Sequence, residues 1–194
     1  MRVLGIDPGT RATGYGVVGE DARRIYFVGA GTIKTSGRLS LPKRLRQIFE
    51  GLTQVISDFQ PDAIAVENTF LSNNFATALK LGQACGVALL SAELSGLKVY
   101  DYTPSQVKLA VVGHGAAEKE QVQKMVDYLL GLKGTEKDPA SGLASAGRID
   151  RSHHASDALA VAICHLHSRN LREMEISDAA PEKLLTLRVS ARPR

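Results

Sequence analysis

The sequence is poor in the residues that mark secreted, disulfide-rich or membrane-embedded proteins. It has two cysteines and no tryptophan, and aromatic residues make up only 5% of it. Cys85 and Cys164 are too few for a disulfide framework and favour a reducing compartment. No run of about 18 apolar residues without a charge occurs, and the amino terminus lacks the pattern of a secretion signal. These absences predict a soluble, cytoplasmic protein with no membrane span.

The composition that is present is that of an ordinary globular protein with a small excess of positive charge. Hydrophobic residues account for 44% and charged residues for 23% of 194 positions, enough to bury a core without cross-links. The formal net charge of +4 favours an anionic partner. It does not identify one, because many basic proteins bind no nucleic acid.

The hydrophobic patterns occur in an order typical of an α/β protein. Apolar and β-branched runs predict five strands, at about 3–6, 13–18, 25–33, 63–66 and 99–100. Helical spacing of apolar residues predicts five helices, at about 41–59, 75–94, 104–112, 122–130 and 153–167. We therefore expect a mixed five-stranded sheet with helices on both faces, which forms one domain over residues 1–167. Residues 131–151 are predicted to be a surface loop, and residues 168–194 a basic, flexible tail.

Two acidic residues lie at the ends of predicted strands. Asp7 follows the first strand and Glu67 ends the fourth. If the first three strands form a meander on one side, these two strands are neighbours. Their carboxylates then converge at the edge where open α/β sheets bind ligands. His154 and Asp157 are three residues apart on one face of the last helix, and they add two candidate ligands.

Clustered carboxylates repel one another and lose solvation, so a cluster of this kind favours a bound cation. Oxygen ligands suit Mg²⁺ or Mn²⁺. Two such ions can activate water and stabilise the leaving oxygen of a phosphodiester, which points to nuclease chemistry. The spacing alone leaves open the alternative that Asp7 and Glu67 only cap turns or pair with lysines.

Five segments of the chain, taken in order, resemble the RuvC family of Holliday-junction resolvases. They are GIDPGTRATGYGVV, VENTF, ALKLGQACGV, TPSQVKLAVVGHGAAEKEQV and HHASDALAVAICH, and they fall within residues 1–167. The resemblance implies a ribonuclease-H-like fold, a homodimer and a nuclease that depends on divalent metal. It also implies symmetric nicking of two opposing strands of a four-way DNA junction, which leaves 5′-phosphate and 3′-hydroxyl ends. The implied setting is homologous recombination and DNA repair, with the branch-migration proteins RuvA and RuvB as partners.

The resemblance also implies which residues form the catalytic and metal site. The four positions of the family's acidic site fall on Asp7, Glu67, His154 and Asp157, which would hold two divalent ions per subunit. Many members have aspartate where this chain has His154. Because imidazole is a softer ligand than carboxylate, we expect Mn²⁺ to be preferred to Mg²⁺. His153 lies on the same helix face as Asp157, and the sequence alone does not choose between the two histidines.

Three further residues match family positions implied in DNA contact: Phe70, Lys108 and Lys119. Phe70 would stack on an exposed base of the junction. Lys119 lies at the start of a predicted helix, where free backbone N–H groups favour phosphate. The alternatives are that Phe70 packs into the core and that the lysines belong to solvated helix faces.

Two other functions are compatible with parts of the pattern. The first segment also resembles the phosphate loop of actin-like ATP-binding proteins, but those proteins need a second, similar half that this chain is too short to contain. A non-catalytic nucleic-acid-binding module could share the fold, but it would not need to retain the residues of the acidic site. All four positions here carry side chains able to bind metal, so the sequence favours an active nuclease.

The nearly all-round apolar helix at 75–94 is predicted to form much of a dimer contact.

Overall fold

The computed structural model describes residues 1–22, 24–67, 75–132 and 152–179, with side chains in the last segment up to residue 169. Its strands are β1 (Arg2–Asp7), β2 (Ala12–Asp21), β3 (Arg24–Lys34), β4 (Ala63–Glu67) and β5 (Lys98–Tyr102). Its helices are α1 (Leu41–Phe59), α2 (Phe75–Leu94), α3 (Pro104–Val112), α4 (Lys119–Leu129) and α5 (His153–Ala179). The predicted loop at 131–151 lies almost wholly outside the described residues, as does the end of the predicted tail.

The five strands form one mixed sheet in the order β3-β2-β1-β4-β5. The first three strands are an antiparallel meander, and β4 and β5 add to it in parallel. This arrangement confirms the predicted five-stranded sheet. The parallel register pairs Ile6 with Val66, so the next residues, Asp7 and Glu67, end adjacent strands at the same edge.

Alternate strand residues pack on opposite faces of the sheet, which produces two hydrophobic clusters. On β1, Val3 belongs to the cluster with α3, α4 and α5, whereas Leu4 belongs to the cluster with α1 and α2. Both residues are fully buried. The sheet therefore has helices on both faces, as predicted.

Glycines in the sheet allow α5 to lie directly on the strands. A Cβ atom at Gly5 would lie 2.0 Å from the carbonyl oxygen of Ala158, and one at Gly14 would lie 2.0 Å from that of His154. Only a residue without a side chain permits this approach. The first turn of α5 is thereby held against β1 and β2, next to the strand-end acids.

The described helix α5 extends beyond the predicted end near residue 167 and reaches Ala179. The added residues include leucine, arginine, glutamate, methionine and alanine, all strong helix formers, although they show no apolar period. Periodicity therefore placed this boundary too early. The predicted division between a domain at 1–167 and a separate tail stays a prediction.

Helix α2 leaves an apolar face uncovered by the rest of the described chain. Phe75 is 93% exposed and Leu79 is 66% exposed, and Leu90 and Leu94 are exposed as well. The side toward the sheet carries smaller buried residues such as Ala84 and Ala88. We call the four exposed residues the α2 face. By length and composition, α2 is the one described helix that could cross a membrane, which is weak evidence because core helices of proteins without membrane spans pass the same test.

Candidate active site

The two strand-end acids lie in a crowded and partly desolvated position. The side chain of Asp7 is only 18% exposed, and Glu67 is partly buried. Burial raises the pKa of Asp7, and a hydrogen bond from His154 opposes that rise. Burial and then the negative charges of Asp7 and Asp157 raise the pKa of Glu67 to about 7. The three carboxylates are therefore close enough to repel one another.

The start of α5 is anchored beside these acids by Ser152. Its Oγ accepts a hydrogen bond from the backbone N–H of Ala155 at 3.2 Å, which satisfies one of the free donors of the first turn. The same hydroxyl lies 2.6 Å from Oγ1 of Thr32 on β3. Ser152 was not among the predicted site residues, although a serine immediately before a helical pattern is a capping signal.

The two adjacent histidines of α5 have different partners. Nδ1 of His154 lies 2.7 Å from Oδ2 of Asp7. Because an ionised carboxylate only accepts hydrogen bonds, this contact favours the tautomer with the proton on Nδ1, in which Nε2 of a neutral imidazole carries the lone pair. Nδ1 of His153 instead lies 2.7 Å from Nε2 of Gln123 on α4. His154 is thus the histidine that lies against the acids.

A lysine completes the charged part of the site. Nζ of Lys119, at the first position of α4, lies 2.6 Å from Oδ2 of Asp157. The positive charge of Lys119 also opposes the rise in the pKa of both Asp7 and Glu67. Partial burial works against it, but the hydrogen bond and charge of Asp157 raise the pKa of the Lys119 ammonium.

A pocket of about 270 Å³ lies next to the acids. It is lined by Glu67, Pro104, Val107, Lys108, Lys119, Val122, Asp157 and Ala160. Lys108 is carried by α3, whose start is fixed by a reciprocal capping box between Thr103 and Gln106. The structure therefore brings six of the predicted site residues together, the four acidic-site positions and both lysines. Phe70 lies outside the described residues.

The donor set suits a hard divalent cation, because it consists of three carboxylates and one imidazole. Burial first, and then the charges of Asp7 and Asp157, raise the pKa of Glu67 to about 7, so a cation would favour its ionised form. Within the described residues, no group of three or more His, Cys, Asp or Glu side chains is arranged to hold a metal ion. Asp157 is engaged by Lys119 and Asp7 by His154. The chemistry of these four side chains thus fits a divalent metal. The contacts of Asp157 with Lys119 and of Asp7 with His154 explain why the side chains are not arranged around a common metal position.

Comparison with solved structures extends this description. A chain in the structure "T. thermophilus RuvC in complex with Holliday junction substrate" matches 89% of this chain and 96% of its own length, with a TM-score of 0.75 and 36% identity. The yeast mitochondrial Holliday junction resolvase Ydc2 matches with a TM-score of 0.64 over 91% of this chain and 82% of its own, at 11% identity, which shows the fold alone. The fold and its acidic edge thus define a resolvase-type nuclease with a ribonuclease-H-like sheet.

Sequence comparison is more specific. The family model described as crossover junction endodeoxyribonuclease RuvC matches residues 3–165. A protein of that description from Pelobacter propionicus is 51% identical over 97% of this chain and 98% of its own. Another from Trichlorobacter lovleyi is 52% identical over 89% of this chain and 88% of its own. The chain belongs to the RuvC family of crossover junction endodeoxyribonucleases, an enzyme family that depends on divalent metal. The predicted family and fold are confirmed.

Proposed function

We propose that this chain acts as a homodimer that resolves four-way DNA junctions by nicking two opposing strands symmetrically. The cut leaves 5′-phosphate and 3′-hydroxyl ends, which ligase can rejoin during homologous recombination and DNA repair. The observation that carries the proposal is the convergence of the two strand-end acids with His154 and Asp157. It occurs in a chain 36% identical to one solved with a Holliday junction substrate.

Each part of the site has a role in this proposal. Asp7, Glu67, His154 and Asp157 would hold divalent metal, two ions per subunit. When bound, the metal supplies positive charge to the scissile phosphate and lowers the cost of deprotonating water. The hydrogen bond between Asp7 and His154 fixes the imidazole ring and leaves Nε2 as its ligand atom. We propose that this imidazole makes Mn²⁺ a better activator than Mg²⁺.

The two lysines of the pocket are the proposed phosphate contacts. Lys108 and Lys119 line the pocket from different helices, beside Glu67 and Asp157. Phosphate contacts fix the position of DNA without reading its sequence. Phe70 is proposed to stack on a junction base, as the resemblance to the family implies.

The α2 face supplies the proposed dimer contact. A two-fold dimer would present two equivalent sites to the junction, which is what cutting two opposing strands requires. The exposed Phe75, Leu79, Leu90 and Leu94 form the kind of apolar surface that a second copy would bury. RuvA and RuvB are the proposed partners on the junction, and the cytoplasm is the proposed location.

The test is a cleavage assay that compares a four-way junction with a linear duplex of the same sequence. It is run with Mg²⁺, with Mn²⁺ and with EDTA. We expect paired nicks in the junction only, in the presence of metal. Asp58→Asn, which removes an exposed acid on α1, should cut the junction like the wild type and is the control for Asp7→Asn, which removes an acid of the site. Equal cutting of duplex and junction, or cutting in EDTA, would refute the proposed function.

A further inference from the structure

Helix α4 is joined to α5 by two polar pairs next to the acidic site. Nζ of Lys119 lies 2.6 Å from Oδ2 of Asp157, and Nε2 of Gln123 lies 2.7 Å from Nδ1 of His153. The members of each helix are four residues apart, so they share one face. The two pairs form rungs between helices that run in opposite directions at this point. We call them the α4–α5 ladder.

The two rungs differ in what they can do. The pair of Gln123 and His153 joins two side chains that end in planar polar groups. Lys119 has a long, flexible side chain that is 53% exposed, so its ammonium can move while its backbone stays in place. The ladder can therefore lose its Lys119 rung without releasing α4 from α5.

The ammonium of Lys119 competes for the same negative charge that a cation would use. It is paired with Asp157, and its charge also acts on Asp7 and Glu67. A divalent ion bound to these carboxylates would lie within a few Å of the ammonium. Two like charges at such a distance repel strongly in a partly desolvated site.

We propose that Lys119 is an exchangeable counter-ion: its ammonium neutralises the acidic site before metal binds, and a divalent cation displaces it toward a DNA phosphate. This role rests on the proposed function, because it requires these carboxylates to take up metal. It makes Lys119 a residue that links two binding events. Metal binding frees the lysine for DNA, and bound DNA, by retaining the lysine, favours metal in return.

The first test measures metal affinity without DNA, so that no cleavage is involved. Mn²⁺ is titrated into the protein and free Mn²⁺ is followed by electron paramagnetic resonance. The titration is run at about pH 8.5, above the pKa of about 7 of Glu67. Lys119→Met removes the charge but keeps the length of the side chain. We expect it to bind Mn²⁺ about fivefold more tightly than the wild type, since the cation no longer has to break an ion pair.

Two variants serve as controls in this titration. Lys119→Arg keeps the competing charge and should leave the affinity near that of the wild type. Lys108→Met removes a lysine of the same pocket that makes no hydrogen bond to Asp157, and it should change the affinity less than Lys119→Met does. Equal or weaker Mn²⁺ binding by Lys119→Met would overturn the exchange.

The second test follows the salt dependence of junction binding, with Ca²⁺ as the metal. Each lysine that neutralises a phosphate adds about 0.9 to the slope of log affinity against log salt concentration. We expect the slopes of wild type and Lys119→Met to be similar without metal. With Ca²⁺, the wild-type slope should be steeper by about one unit for each engaged subunit. A difference of the same size in both conditions would show that Lys119 contacts DNA independently of metal, and would overturn the exchange.

The behaviour of the wild type in these measurements separates the counter-ion exchange from the proposed nuclease function. A wild type that neither binds Mn²⁺ nor cuts junctions refutes both. A wild type that does both, while Lys119→Met shows unchanged Mn²⁺ affinity, refutes the exchange alone.

Discussion

Removing the charge of Glu67 should stabilise the metal-free protein, and only at the higher end of the pH range. The pKa of Glu67 is raised from 4.5 to about 7, first by burial and then by the charges of Asp7 and Asp157. The folded protein therefore binds this proton more tightly than the unfolded chain does. That contribution to stability is complete below about pH 4.5 and is lost as the pH rises through about 7. Glu67→Gln has no proton to lose, so its stability lacks this dependence.

The size of the effect follows from the size of the shift. A rise of roughly 2.5 pKa units corresponds to about 3 kcal/mol at 1.36 kcal/mol per unit. Glu67 is only partly buried, and solvent screening at the open side of the pocket reduces this to about 2 kcal/mol. For a chain of this size, that equals a rise in melting temperature of about 4–8 °C. The stability of Glu67→Gln relative to the wild type should therefore rise by this amount between about pH 4.5 and pH 8.

The assay is thermal or urea unfolding in EDTA at both pH values. Glu50→Gln, which removes the glutamate of an exposed i,i+4 pair with Arg46 on α1, controls for the loss of one negative charge, because such a pair contributes little to stability. Mn²⁺ added at pH 8 should make the wild type more stable than Glu67→Gln, because a cation that binds only the folded wild type stabilises it. A difference between Glu67→Gln and wild type that is equal at both pH values would refute the reasoning, since desolvation and repulsion act only on the ionised form.

Four further predictions concern the site, the dimer and the contact between helix and sheet. Asp7→Asn should keep junction binding, measured by gel shift, and lose more than about a hundredfold in cleavage rate; near wild-type cutting would exclude Asp7 from the site. His154→Asp should narrow the rate advantage of Mn²⁺ over Mg²⁺, and an unchanged ratio of the two rates would remove His154 from the metal. Leu79→Asp with Leu90→Asp should turn a dimer into a monomer by analytical ultracentrifugation, whereas a wild type that sediments as a monomer at micromolar concentration would contradict the dimer itself. Gly14→Ala should lower the free energy of unfolding by about 2 kcal/mol or more, because its Cβ would overlap the carbonyl oxygen of His154. The cleavage rate should fall as well. A variant as stable as the wild type would mean that α5 can shift at little cost.

The sequence predicted the parts of the fold that depend on local patterns. Alternation and apolar runs located all five strands, and their order left β1 beside β4, so that Asp7 and Glu67 meet. The strand-end acids were found because the parallel register places them at one edge. The helix spacing of His154 and Asp157 placed both on one face.

Other features depend on side-chain contacts between distant elements, which local patterns do not contain. His153 pairs with Gln123 across α4 and α5, whereas His154 pairs with Asp7, and these contacts favour His154 as the proposed ligand. Gln123 carried no signal of its own in the sequence. The ion pair between Lys119 and Asp157 joins residues 38 positions apart, and only the packing of two helices brings them together. The end of α5 was missed because helix propensity without an apolar period gives no boundary.

The origin of the site in remote parts of the chain has a consequence for synthesis. Asp7 and its partner His154 are 147 positions apart, and the acids of the strands precede α5 by most of the chain. A ribosome-bound chain that has made β1 to β5 holds only two of the four proposed ligands. It lacks α5, which packs on one face of the sheet, so it would have neither a complete hydrophobic core nor a complete active site. Cutting activity would therefore require α5, the last of the described elements to be synthesised, to dock on the sheet and bring His154 and Asp157 to the strand-end acids.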